Sequence, residues 1–272
     1  MRIDFHTHLD SLDKDKIAEF VGTCEKLGTK ACLSAIGSDR RKELPLNADT
    51  LKVSKDFPDA VIPFAYFDLR EEVDSTDVER LVEKGFRGLK FITPYYEYDH
   101  DIYMPVYEAA EKLKIPALFH TGLYRPGEND PISRRPLMKN MHPLNLDRIA
   151  RSFPNLKIVM AHLGTHPYRL EAAELVKMHP NLYADLAGNG SWFALQADEL
   201  AKLFGQCNLS VETTFKNFRK LVFGSDAYIR YPHIMENAQA SYRHTLSRIG
   251  VSEEIMTLIM GDTVAEWLNL KG

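Results

Sequence analysis

Short apolar and β-branched runs alternate along the chain with segments whose apolar residues recur at helical spacing. Eight such runs predict strands, and helical segments lie between them. The first helical stripe stops at Gly28, a residue typical of a helix C-cap, and the stretch STDVE begins another helix with Ser75 or Thr76 as its cap. The predicted strands are residues 2–8, 30–36, 61–68, 86–92, 115–121, 156–162, 181–187 and 220–226.

The alternation of eight strands and helices indicates the fold. Parallel strands need crossover helices, and eight such units in about 250 residues are typical of a (β/α)8 TIM barrel. An open doubly wound sheet is the alternative, but the first helix is not preceded by G-x-G-x-x-G and the chain contains no phosphate-loop motif. No linker of distinct composition divides residues 1–272, so we expect a single domain.

Composition narrows the class of partner. The formal net charge is -4 and no basic run occurs, which argues against nucleic acid as a partner because phosphate binding needs clustered Lys and Arg. No apolar run approaches ~20 residues, so we expect no membrane span. Cys24, Cys32 and Cys207 lack C-x-x-C spacing and are interpreted as buried apolar residues in a reducing, cytoplasmic compartment.

The stretch IDFHTHLD is the first candidate for chemistry. Side chains in a strand alternate between its faces, so His6 and His8 are expected on one face, about 7 Å apart along the backbone and within reach of one ion. Asp4 is expected on that face as well, with Ile3 and Phe5 on the other. An isolated His-x-His also fits a polar edge strand with solvated histidines.

The ends of the other predicted strands strengthen the hypothesis of a metal site. The carboxyl ends of barrel strands meet at one mouth, whatever their separation in sequence. Imidazole and carboxylate donors suit Zn²⁺ or another divalent first-row ion with one position left open for water. Taken singly, His120 and His162 also fit buried core histidines, and Asp226 fits a turn cap. The residues at these ends are His6, His8, Asp68, Lys90, His120, His162, Asp185 and Asp226.

With these residues in place, the chain resembles the amidohydrolase superfamily, and within it the amidohydrolase-2 group that contains aminocarboxymuconate semialdehyde decarboxylase-like enzymes. The matching segments run in order along most of the chain, and the closing IMGDTVAEWLNL has Asp262 where an Asn is common. They are IDFHTHLD, GFRGLKFITPYY, MPVYEAAEKLKIPALFHTG, LDRIARSFPNLKIVMAHLG, HPNLYADLAG and LVFGSDAY.

The resemblance implies a ligand set. His6, His8, His120 and Asp226 would bind one divalent ion, with Zn²⁺ favoured and Mn²⁺ as the alternative, and His162 would lie beside the bound water or substrate oxygen. In binuclear members a carboxylated lysine bridges two ions near the position of Lys90. A G-x-K lysine is common in the amidohydrolase-2 group without that role, so we favour one ion and a structural or substrate-facing Lys90.

The resulting hypothesis is a metal-dependent hydrolase in which activated water attacks an amide, lactone or other ester bond. Asp226 would take the proton of that water and pass it to the leaving group, while His162 would stabilise the oxyanion or act as acid and base. Non-oxidative decarboxylation of a small carboxylic acid uses the same residues and remains open. A barrel that binds a small molecule without catalysis is the third alternative.

Substrate recognition is less determined. Three arginines in the polar segment after the fifth strand could bind a substrate carboxylate, or they could simply be solvated. Aromatic residues near the mouth would pack a ring or cover the barrel. We expect a small carboxylated molecule as the partner, and homo-oligomerisation is left open. The candidate substrate-binding residues are Lys90, Arg125, Arg134, Arg135, Tyr95, Trp192 and Tyr228.

Overall fold

Strands and helices alternate along the computed structural model, which describes residues 1–37, 44–70, 73–124, 137–188, 195–205 and 215–270. The strands are β1 (Arg2–Leu9), β2 (Thr29–Ala35), β3 (Val61–Phe67), β4 (Gly88–Phe91), β5 (Ala117–Phe119), β6 (Ile158–Met160), β7 (Leu182–Ala184) and β8 (Ala227–Tyr228). The helices are α1 (Lys14–Leu27), α2 (Asn47–Asp56), α3 (Thr76–Glu83), α4 (Met104–Lys112), α5 (Asn145–Ser152), α6 (Thr165–Met178), α7 (Ala197–Phe204), α8 (His233–Ile249), α9 (Glu253–Thr257) and α10 (Thr263–Trp267).

All eight strands are parallel and lie in one sheet, in the order β7-β6-β5-β4-β3-β2-β1-β8. The segment before β8 closes the sheet on itself. Leu221 forms a parallel bridge with Ala184 of β7, and the backbone N–H of Phe5 in β1 donates to Phe223 O at 2.9 Å. The predicted (β/α)8 barrel is therefore confirmed.

Alternation along the strands separates two apolar clusters. In β5 and β6, Leu118 and Val159 lie in the cluster that fills the barrel interior, whereas Phe119 and Met160 lie in the cluster between the strands and the helices. The interior cluster occupies the amino-terminal end of the barrel and includes Phe5 and Phe64, whose rings pack edge to face. The polar residues at the carboxyl ends of the strands lie above this cluster, where they can form a functional site.

The first strand departs from simple alternation. Its register with β2 shifts between Asp4 and Thr7, a β-bulge, so Ile3 and Phe5 line the barrel interior on the same side as His6. The expectation that Asp4 shares the histidine face and that Ile3 and Phe5 oppose it is wrong for this reason. Instead, Asp4 Oδ1 accepts from the backbone N–H of His6 at 3.1 Å and of Ser225 at 3.0 Å. Asp4 thus ties β1 to the segment before β8.

Several element boundaries also differ from the sequence prediction, and β4, β5, β6 and β7 are each shorter at both ends than the predicted runs. The strand predicted at residues 220–226 is wrong in its position, because β8 is Ala227–Tyr228 and shares no residue with it. Asp226, directly before β8, has a positive φ of 63° that interrupts an extended ladder. At the start of α3, Ser75 is the N-cap residue, one of the two predicted, but its side chain makes no capping hydrogen bond. Asp74 instead accepts from the Thr76 N–H at 2.9 Å. Gly28 ends α1 in the left-handed region, as expected.

Burial and helix length add two further observations. Cys24 and Cys32 are buried, as predicted, whereas Cys207 lies outside the described residues. Within the described parts of the chain, every helix is too short or too polar to cross a bilayer.

Candidate metal centre

Three predicted ligands converge where β1 meets the segment before β8. His6 Nε2 lies 3.2 Å from His8 Nε2, and Asp226 Oδ1 lies 3.5 Å and 3.0 Å from these two nitrogens. Ligands bound at 2.0–2.1 Å around a tetrahedral ion lie about 3.3 Å apart, which is the spacing seen here. The three donors therefore fit a divalent ion.

His6 is oriented by Asp185 at the end of β7. Its Nδ1–H donates to Asp185 Oδ2 at 3.0 Å, and both side chains are almost completely buried. Burial, followed by the charge of Lys90, lowers the pKa of His6 to about 3, so its ring is neutral. A neutral ring with Nδ1–H engaged presents the Nε2 lone pair to the site, an arrangement typical of metal-binding histidines.

His8 is held in a similar way by Ser34 of β2. The Ser34 hydroxyl donates to Thr7 O at 3.3 Å and lies 3.3 Å from His8 Nδ1, from which it accepts. Burial lowers the pKa of His8 as well. Its Nε2 lone pair therefore faces that of His6 and the Asp226 carboxylate, and a cation between them would relieve this crowding of acceptors.

Asp226 is placed by its backbone. Its N–H donates to His6 O at 2.9 Å, and its positive φ directs the carboxylate at the two histidines. Burial raises the pKa of this carboxyl, but the positive charge that His6, His8 and His162 carry when they are protonated outweighs that effect and holds the pKa well below its usual range. The carboxylate is therefore ionised at neutral pH.

His120 and His162 form a second pair of acceptors. His162 Nδ1–H donates to Ala187 O at 2.9 Å, and His120 Nε2–H donates to Leu123 O at 3.2 Å. The remaining nitrogens, His162 Nε2 and His120 Nδ1, face each other at 3.1 Å. At this distance the two nitrogens can share one proton or bind one cation.

The structure brings some of the predicted ligands closer together than others. Among the described residues, two groups have three donor atoms within 4.8 Å of one another. His6, His8 and Asp226 form the first, and His6, His162 and Asp185 form the second. His120 belongs to neither group, although it borders His162, so its assignment as a ligand stays a prediction.

Asp185 supports both groups. Its Oδ1 accepts from the backbone N–H of His162 at 2.7 Å and its Oδ2 accepts from His6. The approach of Gly224 is so close that a Cβ there would lie 2.9 Å from Asp185 Oδ2. The sequence placed Asp185 at a strand end but did not assign it a role, since its position beside His6 follows only from barrel closure.

Lys90 lies within the site rather than at its rim. Its Nζ donates to His6 Nε2 at 2.7 Å, and its side chain is buried. Burial lowers the pKa of Lys90 to about 8, although Asp226 and Asp185 oppose the shift. An ammonium and a metal ion cannot both use the His6 lone pair, so Lys90 must lose its proton or move when an ion binds.

A cavity of about 210 Å³ opens above these groups. Tyr228 lines it, so its substrate-binding role stays a prediction, whereas Tyr95 lies outside it, half-exposed with its ring against Tyr96. The predicted Arg125, Arg134, Arg135 and Trp192 lie outside the described residues. The cavity is lined by His8, Ala35, Ile36, Tyr66, Lys90, Ile92, Thr93, His120, Tyr124, His162, Asp226 and Tyr228.

Comparison with known proteins identifies the family. A family model described as "Amidohydrolase" matches residues 3–270, nearly the whole chain. The chain belongs to this amidohydrolase family. The resemblance stated from the sequence is therefore confirmed, and with it an enzyme family whose members depend on metals. No curated protein matches the sequence.

Solved structures share the fold at low identity. An uncharacterised TIM-barrel protein from Bordetella bronchiseptica is 17% identical, with a TM-score of 0.68 and coverage of 99% of this chain and 98% of that one. The 5-carboxyvanillate decarboxylase from Sphingomonas paucimobilis is 12% identical, with a TM-score of 0.65 and 99% of both chains covered. A probable 2-pyrone-4,6-dicarboxylic acid hydrolase from Acinetobacter baumannii is 14% identical, with a TM-score of 0.64 and coverage of 98% and 99%.

Proposed function

We propose that this amidohydrolase family member is a metal-dependent hydrolase of an amide, lactone or other ester bond in a small carboxylated substrate. The convergence of His6 Nε2, His8 Nε2 and Asp226 Oδ1 supports the proposal, since three unprotonated donors at 3.0–3.5 Å could hold one divalent ion. Borderline nitrogen donors with one carboxylate favour Zn²⁺, with Mn²⁺ as the alternative. His120 would complete the ligand set.

A divalent ion at this site would polarise a carbonyl and lower the pKa of a neighbouring water. Asp226, ionised and directed into the cavity, would accept the proton of the attacking water and deliver it to the leaving group. His162 would donate a hydrogen bond to the oxyanion once its Nε2 is protonated, while its Nδ1–H stays on Ala187 O. Asp185 would keep His6 in the tautomer that a ligand needs.

Non-oxidative decarboxylation of an aromatic or unsaturated acid is the second candidate. The same donors would bind the substrate oxygens, and His162 would protonate the carbon that loses carbon dioxide. The names of the similar structures support both chemistries, since they include a decarboxylase and a probable hydrolase. A barrel that binds a small molecule without catalysis is the third candidate.

The setting proposed with this function is a cytoplasmic enzyme whose partner is a small molecule. The formal charge of -4 and the lack of a basic run argue against nucleic acid as a partner. We propose no membrane partner either. Self-association into a homo-oligomer stays open.

Isotope labelling of products from a substrate panel tests the proposal. Protein loaded with Zn²⁺ or Mn²⁺ is assayed against lactones, esters, amides and aromatic acids in ¹⁸O-labelled water. Hydrolysis puts one ¹⁸O atom into the product, whereas decarboxylation releases carbon dioxide without consuming water. Fully metal-loaded protein that is inert to the whole panel would favour the non-catalytic barrel.

A further inference from the structure

A polar corner of the cavity, formed by residues that are not metal ligands, lies where β3 and β4 end. It contains Tyr66, the partner of Lys90 in the parallel register, and Thr93, two residues after β4. Both side chains line the cavity and are almost buried, with 7% and 2% of their surface exposed. No role in the chemistry described above uses either hydroxyl.

The backbone of Tyr66 is fixed by Asn47, the first residue of α2. Asn47 Nδ2 donates to Tyr66 O at 2.8 Å, and the Tyr66 N–H donates to Asn47 Oδ1 at 2.9 Å. This paired contact replaces the ladder hydrogen bonds at the strand end. The Tyr66 ring therefore projects from a position that is held before any ligand arrives.

The phenol oxygen of Tyr66 is also held from behind. Arg70 Nη2 donates to it at 3.4 Å, while the same guanidinium binds Asp68 through Nε at 3.0 Å and Nη2 at 3.1 Å. A guanidinium has no acceptor, so the proton of Tyr66 must point elsewhere. Burial raises the pKa of Tyr66 to about 12, which keeps this proton in place at any physiological pH.

Thr93 brings a second hydroxyl to the same corner. Its side chain hydrogen-bonds with Tyr66, and its φ of 53° is uncommon for a β-branched residue. Strained backbone of this kind persists where the surrounding structure enforces it, and it clusters at ligand sites. Here it places the Thr93 hydroxyl beside the phenol of Tyr66.

We propose that Tyr66 and Thr93 form a substrate subsite that binds a carboxylate or carbonyl oxygen. Arg70 and Asp68 act behind Tyr66 as positioning residues. The proposal rests on the function proposed above, because it gives the substrate a second oxygen group that binds away from the group held at the metal ligands. The subsite would also provide a place for a substrate carboxylate among the described residues.

Two aromatic acids test the subsite without turnover. Benzoate and isophthalate are titrated into zinc-loaded protein, with affinities measured by NMR chemical-shift changes. We expect the dicarboxylate to bind wild type at least about tenfold more tightly, because a hydrogen bond to a charged group contributes about that much. In Tyr66→Phe this preference should disappear, and in Thr93→Val it should weaken. Tyr168→Phe is the matched control and should keep it, because Tyr168 is a partly buried residue of α6 that packs against His142 and does not line the cavity.

The outcomes separate the subsite from the metal chemistry. Equal affinity of the two acids for wild type, or an unchanged preference in Tyr66→Phe, overturns the subsite. Thr93→Val decides the matter in the same way should Tyr66→Phe fail to give a native unfolding transition. A failure of the proposed function gives a different result, namely benzoate binding that is equally tight with and without zinc. In that case the effect of Tyr66→Phe on isophthalate affinity still tests the subsite.

Discussion

Asp185 Oδ2 accepts a hydrogen bond from His6 Nδ1 at 3.0 Å, across the seam where β7 and β1 flank the closing segment. This contact decides which nitrogen of His6 carries the proton, and so leaves Nε2 unprotonated for a metal ion. Asp185→Asn keeps the shape but removes the charge. We expect zinc affinity to fall by about 10- to 100-fold, the range measured when such carboxylate partners are lost.

Competition with a chromophoric chelator measures this change in zinc affinity. Asp59→Asn is the control, because Asp59 is fully exposed and makes only a long ion pair with Lys30, at 3.8 Å, among the described contacts. Zinc affinity equal to wild type in Asp185→Asn would show that His6 is oriented without this carboxylate.

Lys90 competes with the ion for the His6 lone pair, so its removal should strengthen metal binding. In Lys90→Met we expect one equivalent of zinc, bound more tightly than in wild type at pH 7. Wild-type zinc affinity should rise by about tenfold between pH 7 and pH 9 as Lys90, with its pKa near 8, loses its proton, and the variant should lack this rise.

Metal analysis and chelator competition across that pH range check the prediction for Lys90. Two equivalents of metal in wild type, lost together in Lys90→Met, would indicate a bridging lysine and overturn the single-ion view.

Buried neutral histidines should make the metal-free protein sensitive to acid. Burial lowers the pKa of His6 from 6.5 to about 3, and it lowers the pKa values of His8 and His120 too. In the unfolded chain these rings take up protons below pH 6.5, so stability present above that pH is lost as pH falls. Asp4 acts in the opposite direction, because burial raises its pKa to about 7, but it is one group against three.

We therefore expect the unfolding free energy of chelator-treated protein to decrease between pH 6.5 and pH 4.5. Each proton taken up on unfolding contributes about 1.4 kcal/mol per pH unit. Urea unfolding at several pH values measures the slope, which should be shallower in His120→Asn. A flat profile would mean that these histidines are already charged in the folded protein.

The fold was predictable because periodicity is a local property. Each of the eight apolar runs predicts a strand, and the spacing of strands and helices predicts closure into a barrel. The bulge in β1 was not predictable, since it accompanies long-range contacts such as the hydrogen bond of Asp4 to a backbone N–H 221 residues away. That single bulge changes which side chains share a face with His6.

The site was predictable in its members more than in its roles. Strand ends point to His6, His8 and Asp226 from sequence alone, because all such ends meet at one mouth. Asp185, 179 residues from His6, and the corner at Tyr66 depend on side-chain directions that only the packed barrel defines. The assignment of His120 as a ligand and His162 as an acid–base group stays a prediction.

Replacing Asp226 should lower the turnover rate even when the protein is fully loaded with zinc. Asp226→Asn preserves volume and the backbone hydrogen bond to His6 O, but it removes the only carboxylate among the residues that line the described cavity. With zinc held at saturation, we expect turnover to fall by about 10²- to 10⁴-fold, the usual contribution of acid–base catalysis. The comparison is made at equal metal content, so that weaker zinc binding is not mistaken for lost proton transfer. A near wild-type rate in fully loaded Asp226→Asn would move the role of base to His162, whose Nε2 already faces the same cavity.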